Sequence, residues 1–477
     1  MKTLKFALSV LALILLSSCS TEEWISLWDG ETLEGWTANE NPDSWTIKEG
    51  AIVTTGERSH LFYTGDVMDH RFKNFELSLE VRTTPGSNSG VYVHTVFQDG
   101  GWPAKGYECQ VFNSAHPPAA YVERKMTGSI YAVRNIWKQV VPDNEWFSYR
   151  IVVQGKTIRT YINDRLASDY TEAMELWRPE GWEGRRLNPE GGTFAFQCHD
   201  PGSRVAYRNI RVKPLSDDLP SPGKAIADPE FDEQITRLAT SNFPLVDLHM
   251  HLKGGITREE ALDHARYYGY TYGLAVNCGL KMGFESEEEL VAYLDAFEPD
   301  PFAWHAMQAE GREWLELFSE ESRERFDYVF TDAMTWTNRD GKRMRLWIPE
   351  ETHVGDPQDF MEQLVDNIVL VLKEPVDIYV NPTFLPEKIN ERYDELWTVE
   401  RMDRVIAALV ENGVALEINN RYRIPSSAFI KRAKKAGVIF TIGTNNVRSD
   451  DLGRMDYAIE MIREHGLEPA DMWLPAV

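Results

Sequence analysis

The chain has 477 residues, with 50 Lys and Arg against 75 Asp and Glu and a formal net charge of −25. That length exceeds the roughly 100–200 residues of an ordinary domain, so two domains are expected, and 43% hydrophobic with 26% charged residues describe a folded chain. So large an acidic excess excludes nucleic acid as a partner, because phosphate contacts need clustered Lys and Arg. Aromatic residues at 12%, 15 of them Trp, favour β-rich structure or a sugar-handling surface.

At the N-terminus Lys2 and Lys5 precede an apolar run, 6–16. The run is shorter than the roughly 20 residues that a membrane span requires and has the length of a secretory signal. Leu16-Ser17-Ser18-Cys19 resembles a bacterial lipobox. A lipoprotein signal peptide over 1–18 and lipidation of Cys19 are therefore predicted, giving a cell-envelope location in which the lipid is the sole membrane contact. Cys109, Cys198 and Cys278 remain, an odd number that permits one disulfide at most with a free thiol. None lies in a C-x-x-C pair, so neither a zinc ribbon nor a redox motif is supported.

Residues 24–214 read as β throughout. Short alternating runs at 75–81, 90–96, 107–112, 149–153, 158–162, 193–197 and 205–212 are separated by Gly, Pro, Asn and Asp. The spacing predicts an all-β jelly-roll sandwich. A linker spans 215–242, with a helical stretch near 231–238. From 243 to 477 apolar strands alternate with amphipathic helices, which predicts a parallel sheet and a βα barrel. Ser286, with Glu289 three residues on, carries a capping-box signature for a helix over 287–297.

Side chains alternate faces along a strand. That parity puts Asn88, Tyr92 and His94 on one face, Glu108 and Gln110 on one face, and Gln197 with His199 on one face. If these strands are neighbours, they build a concave polar patch, and Cys109 and Cys198 point into the core. A plain solvated outer face, normal for an antiparallel sheet, is the alternative.

Several of these segments resemble the 3-keto-disaccharide hydrolase domain family (DUF1080), a concanavalin-like sandwich. They are Ser26-Leu27-Trp28-Asp29-Gly30, Asn88-Ser89-Gly90-Val91, Tyr107-Glu108-Cys109-Gln110, Thr127-Gly128-Ser129-Ile130-Tyr131, Glu145-Trp146 and Tyr207-Arg208-Asn209-Ile210-Arg211. The resemblance covers about 24–213. His94 stands where many relatives have Arg, and Phe147 replaces an Asn. The family implies a small carbohydrate substrate, a glucoside oxidised to a ketone at C3. Such a ketone acidifies the hydrogen on C2, so a base can remove it and the enolate can expel the oxygen on C1. On this resemblance Glu108 is the expected base, with His199 or His94 as acid or enolate donor. Asn88, Gln110 and Tyr92 would contact hydroxyls, and Trp102, Arg124 and Lys125 would form the rim.

In the second half, Asp247-Leu248-His249-Met250-His251 ends a buried strand where barrel active sites lie. Asp247, His249 and His251 share parity, and two imidazoles with a carboxylate suit Zn, Mn or Fe. This half resembles the polymerase and histidinol phosphatase (PHP) family of metal-dependent phosphoesterases. Glu310 matches a bridging Glu, but Asp332 and Asn381 stand where the family has His, and Gly443-Thr444-Asn445-Asn446-Val447 replaces a terminal Asp-x-His. The resemblance implies one divalent metal on His249, His251, Glu310 and Asp332, in place of a multinuclear centre. His60, His70, His116, His264, His305, His353 and His465 are read as surface or capping residues. The leading expectation is an enzyme cleaving 3-keto-glycosides; the alternative is a glycan-binding sandwich fused to a metal-dependent hydrolase.

Overall fold

The computed structural model describes residues 23–115 and 123–475. The predicted signal peptide 1–18, the lipidation site Cys19 and His116 lie outside the described residues. Within them, strand alternation organises the first half. Phe75–Thr83 and Phe147–Gln154 alternate buried and half-buried positions, so each offers one face to the core and one to water. They lie in an antiparallel back sheet with Arg165–Thr171, Thr157–Ile162, Val205–Pro214, Ala51–Thr54 and Trp45–Lys48. The front sheet runs Trp36–Ala38, Ser59–Tyr63, Thr193–Cys198, Asn88–Thr95, Tyr107–Phe112. Between the sheets Phe75, Leu77, Leu79 and Val81 pack with Val91, Val93, Cys109, Val111, Phe194 and Phe196.

The front sheet departs from the expected wet-and-dry alternation. Ser59–Tyr63, Asn88–Thr95, Tyr107–Phe112 and Thr193–Cys198 are buried at every position. The outer face is therefore covered, and the loops that cover it make a site of it. Cys109, Cys198 and Cys278 are all buried free thiols, so none of the disulfides that their number permitted forms among them.

After the helix Pro229–Thr240, capped by Asp228, the second half is a parallel near-barrel. Seven strands follow in sequential order: Val246–Met250, Thr271–Gly279, Ala303–Ala309, Tyr328–Thr331, Ile378–Tyr379, Ala415–Asn419 and Phe440–Gly443. The first and last come together where Asn445 N donates to His249 O at 2.9 Å. Amphipathic helices such as Val399–Asn412 and Ser427–Ala436 enclose the sheet, each started by a Thr or Ser cap and stopped by a left-handed Gly. Ser286 caps its helix through Glu289 N as predicted, while Glu289 turns back to Glu285 N and not to the cap itself.

The two halves share a seam. Trp137, 1% exposed, sends its indole N–H to Gly269 O at 3.0 Å and its backbone N–H to Thr271 Oγ1 at 3.1 Å. The Arg134 guanidinium, equally buried, pairs with Asp232 at 2.5 Å and donates to Tyr267 O. Removing one partner of a buried pair strands the other, which costs about 3 kcal/mol or more. Arg134→Met should therefore lower unfolding stability by that order in denaturant titration. Arg448→Met, which breaks the exposed pair with Asp450, should change it by less than about 0.5 kcal/mol.

Candidate functional site

The covered face of the front sheet centres on Glu108. Tyr92 and Glu108 stand opposite each other across the strand pair, as do Gly90 and Gln110. Gly90 leaves the space that the carboxylate occupies: a Cβ there would fall 2.6 Å from Glu108 Oε1. The Tyr92 hydroxyl donates to Glu108 Oε2 at 2.8 Å, and Gln197 Nε2 donates to Oε1 at 3.0 Å. The Arg185 guanidinium lies 3.8 Å away, between the rings of Tyr92 and Trp182. Gln110 donates to Asn88 Oδ1 at 3.2 Å on the same face. Burial pushes the Glu108 carboxyl above the ordinary carboxylate range, against the pull of Arg185 and of the Tyr92 hydrogen bond.

Aromatic rings and imidazoles edge the site. His199, whose Nδ1 meets Asp200 at 2.8 Å, lies 5.0 Å from the Trp102 ring and close enough to Glu108 to act on its charge. His60 sits edge-on to Tyr92 and Trp102, at 5.4 Å from each. It is fully buried, and neither ring nitrogen has a hydrogen-bond partner among the described residues. Burial pushes its pKa down to about 3.

Asn88, Tyr92, Glu108, Gln110, His199 and Trp102 thus fall around one surface, and three expected residues do not. The register shifts where Thr193–Cys198 pairs with Asn88–Thr95, and His94 takes a left-handed φ of 54°. This bulge turns its ring away from Glu108 and toward Phe75, 5.9 Å off. There His94 Nδ1 accepts from Asn188 N, and Nε2 donates to Lys73 O at 2.9 Å. Arg124 donates to Met472 O of the near-barrel, and Lys125 binds Glu123 and Asn242 with 1% exposure. Both belong to the junction between the halves, not to an open rim.

His60, read as a surface residue, is buried beside Tyr92, and His264 and His305 are also buried enough for their pKa to fall to about 4. Arg185 and Trp182 escaped sequence reading because their connection has no strand or helix period. His60 belongs to the strand Ser59–Tyr63 and stands opposite Gln197.

The near-barrel gathers His249, His251, Glu310 and Asp332 at one end of its strands. His249 Nδ1 lies 2.7 Å from Glu417 Oε1, and His251 Nδ1 lies 3.2 Å from Ala275 O, which leaves one Nε2 on each ring without a partner. Asp332 Oδ2 is held by Asn381 Nδ2 at 2.9 Å. Burial pushes the Glu310 and Asp332 carboxyls up, Glu310 well above the usual range. No three His, Cys, Asp or Glu side chains among the described residues converge as a set that could hold an ion. The amides of Asn381 and Asn445 that surround these residues are poor transition-metal ligands.

An antiparallel sandwich with a roofed polar face around a buried carboxylate, joined to a parallel near-barrel, is the class that the fold and the site define. Residues 23–213 match the family model of the 3-keto-alpha-glucoside-1,2-lyase-like domain. The chain is similar to a 3-keto-disaccharide hydrolase of Bacteroides thetaiotaomicron, at 26% identity over 228 residues that cover 40% of this chain and 78% of that protein. Among solved structures, a candidate glycosyl hydrolase from Parabacteroides distasonis aligns at 22% identity, covering 40% of this chain and 94% of that one, with a TM-score of 0.35. A carbohydrate-binding module from Bacillus subtilis aligns at 14% identity over 38% of this chain and 95% of the module, with a TM-score of 0.26.

His60 gives the sandwich an acid sensitivity. Its folded pKa lies below the ordinary 6.5 of an unfolded chain. Its contribution to stability is therefore complete above about pH 6.5 and is lost as pH falls toward 3, by about 1.4 kcal/mol per pH unit. His60→Leu should reduce the stability lost between pH 7 and 4.5 by about 2–3 kcal/mol in urea titrations. An unchanged loss would show that His60 is already protonated or solvated in the folded state.

Proposed function

We propose that the sandwich is a carbohydrate-active hydrolase or lyase that cleaves glycosides carrying a ketone at C3, with Glu108 as the general base. The supporting observation is the Glu108 environment: a buried carboxyl, raised above its usual range and held by Tyr92, Gln197 and Arg185. It lies in a domain that matches the 3-keto-alpha-glucoside-1,2-lyase-like family. A raised carboxylate is a better base near neutrality.

In this reading Glu108 takes the proton from C2. The C–H electron pair forms the C2–C3 double bond, and the negative charge moves to the C3 oxygen. Arg185, beside Glu108, and the Tyr92 hydroxyl face that charge. The enolate then re-forms the ketone and breaks the C1–O bond, and the expelled oxygen takes a proton from His199. Addition of water at C1 turns this elimination into net hydrolysis. Asn88 and Gln110 orient hydroxyls, and Trp102 covers the sugar at the edge. The reading extends to an exported protein tethered by a lipid on Cys19 and to a near-barrel of divergent PHP descent.

Activity on a 3-keto-disaccharide, set against the unmodified disaccharide, tests the assignment. Glu108→Gln should lower kcat by about 10²–10⁴-fold. Gly90→Ala, whose methyl takes the space of the carboxylate, should cause a loss in the same direction. The double variant His249→Ala/His251→Ala should keep its activity. Full activity in Glu108→Gln together with loss in the histidine variant would move the chemistry to the near-barrel and leave the sandwich as a binding module.

A further inference from the structure

The near-barrel holds a cavity of about 430 Å³ at the end of its strands where His249 and His251 lie, a volume within the range of small-molecule sites. Its polar floor comes from Asn277, Gln308, Glu310, Asp332, Asn381 and Asn445. Most of these groups hold one another. Asn277 Nδ2 and Gln308 Nε2 both donate to Glu310 Oε1 at 3.0 Å, and Asn445 Nδ2 donates to Asn381 Oδ1 at 2.8 Å. Two oxygens are left over on the floor: Glu310 Oε2, buried with no partner among the described residues, and Gln308 Oε1, whose one neighbouring donor is the His251 ring. Gln308 and Glu310 are 4% and 2% exposed. An unpaired buried polar group is destabilising, and the cavity is the space from which a partner would come.

The chemistry of the floor selects that partner. Amides and isolated carboxyls are a poor cage for a transition metal. Lys253 and Arg421 also line the cavity and make a phosphate the rival occupant. A phosphate, however, brings its negative charge against the buried carboxyls of Glu310 and Asp332, which an uncharged hydroxyl does not. A hydroxyl donates to a free oxygen while accepting from the amide N–H beside it. The wall includes Trp347, Phe384 and Tyr422, aromatic residues of the kind that pack against the C–H side of a sugar.

We propose that this cavity is a second carbohydrate site, which binds an uncharged sugar without a metal. The inference is independent of the chemistry assigned to the sandwich. It is tested on the full chain carrying Glu108→Gln, in EDTA, by calorimetric titration with glucose, galactose, mannose and inorganic phosphate. At least one sugar should bind saturably, without competition from phosphate. Gln308→Leu and Trp347→Ala should each weaken that binding at least tenfold (about 1.4 kcal/mol), and circular dichroism should show both variants folded. The proposal is overturned by binding of phosphate in place of sugar, by the absence of saturable binding for every sugar, or by binding that appears only when divalent metal is restored. Binding that survives both substitutions overturns it as well, since such a site would lie in the sandwich.

Discussion

The strand Tyr107–Phe112 has two edges, and the way each is satisfied shapes both halves of the molecule. Asn88–Thr95 pairs with one edge. On the other, an irregular segment supplies the missing partners: Gln110 N donates to Ser129 O, Gly128 N to Gln110 O and Tyr131 N to Glu108 O, at 2.9, 3.1 and 2.9 Å. Unpaired edges invite association with other chains, and here the chain closes its own. The same segment then continues into Arg134 and Trp137, which are buried against the near-barrel. Covering the edge of Tyr107–Phe112 and joining the two halves are one structural act. A change that loosens the seam would also loosen the backbone on which Glu108 is mounted.

That mounting explains how a carboxyl can be kept at the centre of a buried sheet. An isolated buried charge is costly, and its pKa rises until it is neutral or paired. Glu108 lies between these limits. Arg185 and two hydrogen bonds offset part of the desolvation, and Gly90 provides the room. The arrangement fixes the side chain in one orientation without fully quenching its basicity. Fixed geometry and a shifted pKa are both requirements of general-base chemistry.

Regular strands made much of this legible in the sequence. Period-two parity set Asn88 with Tyr92, Glu108 with Gln110 and Gln197 with His199 on one face of each strand, while the strand order that brings these faces together is a property of the fold. The change from alternating strands to strand–helix units placed the junction between the halves. Parity failed at His94, because a bulge moves a side chain to another face without a mark that period-two reading detects. His60 was missed for the opposite reason: in Ser59–Tyr63 both faces are covered, so the strand has no polar alternation to read. Arg185 and Trp182 arrive from an irregular connection, and only the folded chain brings them over Tyr92. In the near-barrel the parity of His249 and His251 was readable. The pairing of His249 with Glu417 was not, because Glu417 comes from a strand 168 residues further along the chain.

The three thiols have a further consequence. Cys109 and Cys278 are buried in surroundings that raise their pKa far above the usual thiol range, and Cys198 is raised in the same direction. A thiol held protonated and away from solvent neither exchanges with disulfides nor is readily oxidised. Among the described residues, no covalent cross-link waits on an oxidant. The described sandwich and near-barrel are therefore held by packing, hydrogen bonds and ion pairs, with no cross-link from these three thiols.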